Sequence, residues 1–166
     1  MGVRKNRGLT LLELCVAMAL AALLASLAMP TFRAASRNAA IRSAFFELAA
    51  GLQLTRASSI VQARQGVLCL SGSAGGSCLR DGDSHAWTAF LDVDGVSQPL
   101  SARALPPGIV LHATRNRLDF WPGSRAASTG TLTICDAQGV ARPRAIVVSQ
   151  LGRIRLADGD DSACRA

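Results

Sequence analysis

Arginine is the residue type best placed to do chemistry in this chain. Between Thr114 and Arg155 lie Arg115, Arg117, Arg125, Arg142, Arg144, Arg153 and Arg155 against only Asp119 and Asp136, an excess of five positive charges in 42 residues. A guanidinium is always charged and offers a planar fork of donors that suits phosphate oxygens. A basic surface of this density attracts polyanions by counterion release, without reading sequence. Within it stands Gly152-Arg153-Ile154-Arg155. Arg153 and Arg155 are two apart on an expected strand, so both point to one face. Gly152 lacks a side chain and would let a backbone or phosphate approach closely. The competing structural reading is that such arginines solvate a sheet edge and deter edge pairing. Trp121 is the only nearby aromatic that could stack on an unpaired base, so duplex or backbone-led contact is expected.

The other reactive residue types argue for less. His85 and His112 are isolated from any base–nucleophile motif, and the serines cluster in loops, so no enzyme and no cofactor are expected. Asp92-Val93-Asp94-Gly95 echoes the start of a calcium loop, but the remaining ligand positions hold no acidic group. A hairpin turn is the expected account of it, and a solvated tail that of Asp158, Asp160 and Asp161; no metal is expected. Of five cysteines, Cys15 lies in an apolar run and is expected to stay free, while Cys69, Cys78, Cys135 and Cys164 follow it. No Cys-x-x-Cys or His pair accompanies them, so disulfides in an oxidising compartment are favoured over metal. Four cysteines allow three pairings. Cys69–Cys78 would close a Gly/Ser-rich loop and Cys135–Cys164 would tie down the C-terminal tail, and that pattern is the one expected.

These residues must be held by the elements around them. From Leu9 to Met29 the chain is mostly apolar and carries no charge but Glu13, and it is about the ~20 residues a helix needs to cross a bilayer. A basic leader with Arg4, Lys5 and Arg7 precedes it. A carboxylate inside such a segment is costly and by default marks function. A secretory signal peptide, with Ala25-Ser26-Leu27-Ala28 as its cleavage site, leaves that glutamate unexplained. Ala17, Ala21, Ala25 and Ala28 line one face and allow close helix approach. Beyond Pro30 an amphipathic stripe of Ile41, Phe45, Leu48 and Leu52 continues the helix to about Arg64. From Gly66 onward, short β-type runs alternate with Gly, Pro and Asp turns. The fold expected is α+β, one long, partly transmembrane N-terminal helix followed by a head built on a mostly antiparallel sheet. The expected segments are a leader 1–8, a membrane or filament-core helix 9–29, an amphipathic extension 30–65 and a head 66–166. Net charge is +7, falling to +4 without Met1–Gly8, and every cation after that point is arginine.

Gly8-Leu9-Thr10-Leu11-Leu12-Glu13 with its apolar tract resembles the type IV prepilin signal. That resemblance implies cleavage after Gly8 by a prepilin peptidase, N-methylation of Leu9, and pairing of Glu13 with a free N-terminal amine inside a filament. Leu9 departs from the commoner phenylalanine. The later pieces, in order, resemble the GspH/FimT family of minor pilins and pseudopilins: Trp87…Phe90…Asp92, Leu105-Pro106-Pro107-Gly108-Ile109, Phe120-Trp121-Pro122-Gly123, Gly130-Thr131-Leu132-Thr133-Ile134-Cys135, Ala145-Ile146-Val147-Val148-Ser149 and Gly152-Arg153-Ile154-Arg155. Trp121 stands where a smaller or polar residue is more usual. The likeness implies an inner-membrane precursor with a periplasmic head, later assembled with other pilins into a pilus or pseudopilus, near its tip. It also implies a role for the Gly-Arg-x-Arg motif in binding DNA for natural transformation; from the local charge excess, Arg115, Arg117, Arg142 and Arg144 are expected to support it. A structural pseudopilin or assembly primer without DNA contact shares the fold, which therefore does not choose between them.

Overall fold

The computed structural model describes residues 10–80, 82–123 and 126–164. Helix α1 (Leu11–Gln62) opens after Thr10, whose hydroxyl accepts the Glu13 N–H at 3.3 Å and satisfies one of the helix's orphan donors. Its N-terminal part belongs to a compact unit ending at Ser36; Arg37–Ala166 form a second. In the first unit the large apolar side chains from Leu11 to Met29 are exposed. The helix is long and apolar enough to cross a membrane. Pro30 sits inside it, and the Thr31 hydroxyl donates to the Ala28 carbonyl at 2.8 Å.

In the second unit the expected stripe is the core-facing one: Ile41, Phe45, Leu48 and Leu52 are all buried, joined by Ala44 and Ala49. The same face then turns polar. Thr55 and Ser59 are buried, the first returning its hydroxyl to the Gly51 carbonyl at 2.7 Å. Ser59 Oγ lies 2.7 Å from the Arg64 carbonyl and 2.9 Å from that of Phe120, tying the helix end to the sheet. Ala63 adopts a left-handed backbone, φ 49°, and turns the chain into the first strand.

Eight strands follow: β1 (Gln65–Ser71), β2 (Ala86–Val93), β3 (Val96–Ala104), β4 (Ile109–Ala113), β5 (Arg117–Phe120), β6 (Gly130–Asp136), β7 (Arg144–Val148) and β8 (Ile154–Asp158). The fold class is the expected α+β, but the strands divide into two antiparallel sheets rather than one, ordered β3-β2-β1-β5 and β4-β6-β7-β8. The division falls at Pro106-Pro107-Gly108. Neither proline can donate to a ladder, Gly108 takes φ 77°, and β4 leaves β3 to pair with β6. Arg37 from α1 holds this corner, donating to the Pro107 carbonyl at 2.8 Å and lying 4.0 Å from Asp136. The core joins both sheets to the helix: Leu68 and Leu70 from the first, and Leu111, Leu132, Ile134, Ile146 and Val148 from the second. Cys69–Cys78 and Cys135–Cys164 are disulfide-bonded, and Cys15 is free and exposed.

Gly51 shows how closely helix and sheet approach. A Cβ there would lie 2.4 Å from Trp87 Cη2 and 2.6 Å from Cζ3. Alanine normally stabilises a helix interior over glycine by up to ~1 kcal/mol. Here it must displace a fully buried indole, which costs about 1–3 kcal/mol. Gly51→Ala is therefore expected to lower the thermal midpoint, measured by circular dichroism of the full chain in detergent. A raised midpoint would refute the packing described.

Candidate nucleic-acid interface

Strand β8 is the outer strand of the second sheet, and it reaches that position through a tight turn after β7. Gly152 N–H donates to the Ser149 carbonyl at 2.8 Å, Ser149 N–H donates to the Arg153 carbonyl at 3.0 Å, and the Ser149 hydroxyl oxygen accepts the Arg153 N–H at 3.1 Å. The turn thus fixes the backbone on either side of Arg153. The strand proper starts at Ile154, whose side chain is packed against the core, while Arg153 and Arg155 flank it and are exposed. The expectation placed both arginines inside a strand; the structure places Arg153 one residue before it.

Helix α1 supplies the opposite wall. Gln53 and Arg56 line one groove of about 400 Å³ together with Arg153, Ile154 and Arg155. Arg56 is half-buried, one turn after the buried Leu52, so its stem lies on the core margin and its guanidinium reaches the groove. Arg56, Arg153 and Arg155 have no acidic partner among the described residues. Three guanidiniums held this way repel one another and leave their donors to water, which suits a polyanion.

Gly152 requires a correction. It is buried, its φ is 68°, and a Cβ on it would stand 3.2 Å from Arg56 Nε. The close approach it permits is that of Arg56, not of a phosphate. Its part in the site is to let the turn form and Arg56 lie across it.

The supporting arginines are not brought to this groove. Arg144 pairs across the ladder with Asp158, at the opposite end of the β7–β8 hairpin from Arg153. Its guanidinium lies 3.6 Å from the Asp158 carboxylate and 5.9 Å from the Phe45 ring centroid, a structural cation–π contact. Arg142 is exposed in the loop before β7. Arg117 belongs to the other sheet and is paired with Asp119 at 2.9 Å. Arg115 is exposed between β4 and β5 and lines a different cleft. Arg125, Gly8 and Leu9 lie outside the described residues. Glu13 is exposed in the first turn of α1. Arg56 was missed by sequence reasoning, which grouped basic residues by proximity along the chain; the available signal was its position at the border of the apolar stripe.

The acidic residues have other work. Gly95 N–H donates to Asp92 at 2.8 Å and Arg64 holds Asp94 at 2.7 Å, so Asp92–Gly95 forms the β2–β3 turn. Asp160 caps a short 3-10 turn (Asp161–Cys164). The Ser162 hydroxyl and then the Ser162 N–H, both donating to it, hold its carboxyl below the usual range.

The family model described as type II transport protein GspH matches residues 46–152, which contain the head from mid-helix to the Gly152 turn. The prokaryotic N-terminal methylation motif matches residues 3–29. The chain belongs to the GspH family, whose members are structural minor pilins and pseudopilins. No sequence among curated proteins matches it. The type IV minor pilin FimU of Pseudomonas aeruginosa superposes with a TM-score of 0.56, covering 74% of this chain and 90% of FimU at 23% identity. The minor pseudopilin EpsH from the type 2 secretion system of Vibrio cholerae gives 0.57, covering 71% and 96% at 13% identity. At such identities the likeness is one of fold. The methylation motif and the long apolar helix fit membrane anchoring followed by filament assembly.

Proposed function

We propose that this GspH-family subunit is inserted in the bacterial inner membrane with its head in the periplasm, cleaved by prepilin peptidase after Gly8, and built with other pilins into a type IV pilus near its tip. There it binds duplex DNA without sequence preference, for uptake. The observation that supports this is the groove where Arg56, Arg153 and Arg155 stand without acidic partners at the exposed margin of the head. Mixed surfaces usually neutralise their cations, as Arg64, Arg117 and Arg144 are neutralised here. Three guanidiniums left open together suit successive phosphates.

A second reading is a pseudopilus subunit that contacts only other pseudopilins. The fold it shares with EpsH, a secretion-system pseudopilin, favours it. Binding of labelled duplex to the full chain in detergent, followed by fluorescence polarisation, separates the two. Three phosphate contacts give a slope of log K against log salt of about −2.7, hence about a fortyfold loss between ~50 and ~200 mM salt. Absence of binding at ~50 mM salt, where such contacts are strongest, would establish the second reading instead.

A further inference from the structure

A second cleft lies on the head, away from the groove, over the face of the second sheet that does not carry the core. It has a volume of about 680 Å³ and is lined by Arg80, Asp83, His112, Thr114, Arg115, Thr131 and Thr133, among others. That size is typical of small-molecule sites and much too small to admit a duplex. We propose that this cleft is a binding site for a phosphate monoester on a compact body, of the nucleoside monophosphate class.

Both walls are braced. Arg80 and Asp83 follow Cys78, which is bonded to Cys69 in β1, and Ala163 on the other side precedes Cys164, which is bonded to Cys135 in β6. The floor is sheet, with His112 and Thr133 directly opposed in the β4–β6 register. Such a cleft loses little entropy on binding. Arg80 and Arg115 have no acidic partner among the described residues, and both line the cleft. Thr114 Oγ1 accepts the Thr131 N–H at 3.0 Å, which leaves its proton to donate. The hydroxyls of Thr131 and Thr133 have no protein partner among the described residues. Donors of this kind around two arginines match the three terminal oxygens of a monoester better than the two of a carboxylate.

Asp83 gives the cleft its second character. His112 Nδ1 holds its carboxylate at 3.0 Å, so it is fixed at the rim as an acceptor. A fixed acceptor suits a ligand hydroxyl or amine and repels a continuous polyanion. The cleft therefore takes a single anionic end attached to a neutral hydrogen-bonding body, in contrast to the all-cationic groove. A free nucleotide has that chemistry, and so does the 5′-terminal nucleotide of a phosphorylated strand whose remaining phosphates stay outside the cleft.

Isothermal titration of the full chain in detergent with a nucleoside 5′-monophosphate tests this. Saturable binding is expected, with none for the parent nucleoside. Arg80→Gln with Arg115→Gln should weaken it about tenfold or more, since charge-assisted hydrogen bonds are lost. Arg153→Gln with Arg155→Gln should leave it unchanged, which separates this site from the groove whatever the groove binds. Competition by a 5′-phosphorylated oligonucleotide, but not by the same strand without the phosphate, would support the site with strand ends as its source. Competition by neither would support it with the free ester. No saturable binding at millimolar ligand, equal binding of the nucleoside, or wild-type affinity in the Arg80/Arg115 variant with its thermal midpoint retained would overturn the proposal.

Discussion

Replacing Arg153 and Arg155 together by glutamine is expected to weaken duplex binding about a hundredfold at ~50 mM salt, because each phosphate contact is worth roughly tenfold there. The salt slope should fall from about −2.7 to about −1, leaving Arg56 alone. Stability should hardly change, since both side chains are exposed and make no ion pair among the described residues. Two readouts on one preparation therefore separate loss of contact from loss of fold: polarisation with a labelled duplex, and thermal unfolding by circular dichroism. The same double substitution at Arg142 and Arg144 should cost far less binding. It should also lower the midpoint, because Arg144 packs over Phe45 and pairs with Asp158. Equal binding losses in the two variants would show that charge, and not the groove, is what the duplex meets.

Glu13→Ala is expected to leave cleavage after Gly8 intact while excluding the subunit from filaments. Glu13 follows the Thr10 cap by three residues and is surrounded in sequence by leucines. Packed among other apolar helices it would need a cation, and the amine that cleavage after Gly8 would free on Leu9, four positions earlier in the sequence, is the candidate. Removing one partner strands the other charge at a cost of about 3–5 kcal/mol, which is more than a hundredfold in the assembly equilibrium. Intact mass of the membrane form should begin at Leu9 with one methyl group added, and the sheared-filament fraction should lack the variant. Wild-type amounts in that fraction would refute the pairing, and a mass retaining Met1–Gly8 would refute the processing.

Much of the fold was legible in the sequence because its signals are local. The Ile41-Phe45-Leu48-Leu52 stripe specifies the buried helix face through its period alone. Asp94-Gly95, Pro106-Pro107-Gly108 and Pro122-Gly123 punctuate the strands through backbone chemistry that needs no tertiary partner. What was not legible depends on approach across space. Nothing local tells β4 to leave β3 and begin a second sheet beside β6. Gly51 reads as a weak point in a helix until Trp87 is found against it. Gly152 reads as an opening for a ligand until Arg56 is found lying over it. The arginines show the same limit. A count along the chain groups Arg115, Arg117, Arg142 and Arg144 with Arg153 and Arg155, yet ladder register puts Arg144 at the far end of its hairpin and Arg117 in the other sheet. Arg56, nearly a hundred positions earlier, is the one that joins them.

That placement of Arg56 is the central claim, and a charge-matched pair tests it most directly. Arg56→Gln and Arg142→Gln each remove one positive charge, so any effect of net charge is the same in both. Duplex affinity and its salt slope are to be measured for the two full-length variants beside the wild type. Arg56→Gln should bind about tenfold more weakly at ~50 mM salt with a slope shallower by about one, and Arg142→Gln should change affinity by less than about twofold. Equal losses in both variants, or wild-type binding by Arg56→Gln, would contradict the account.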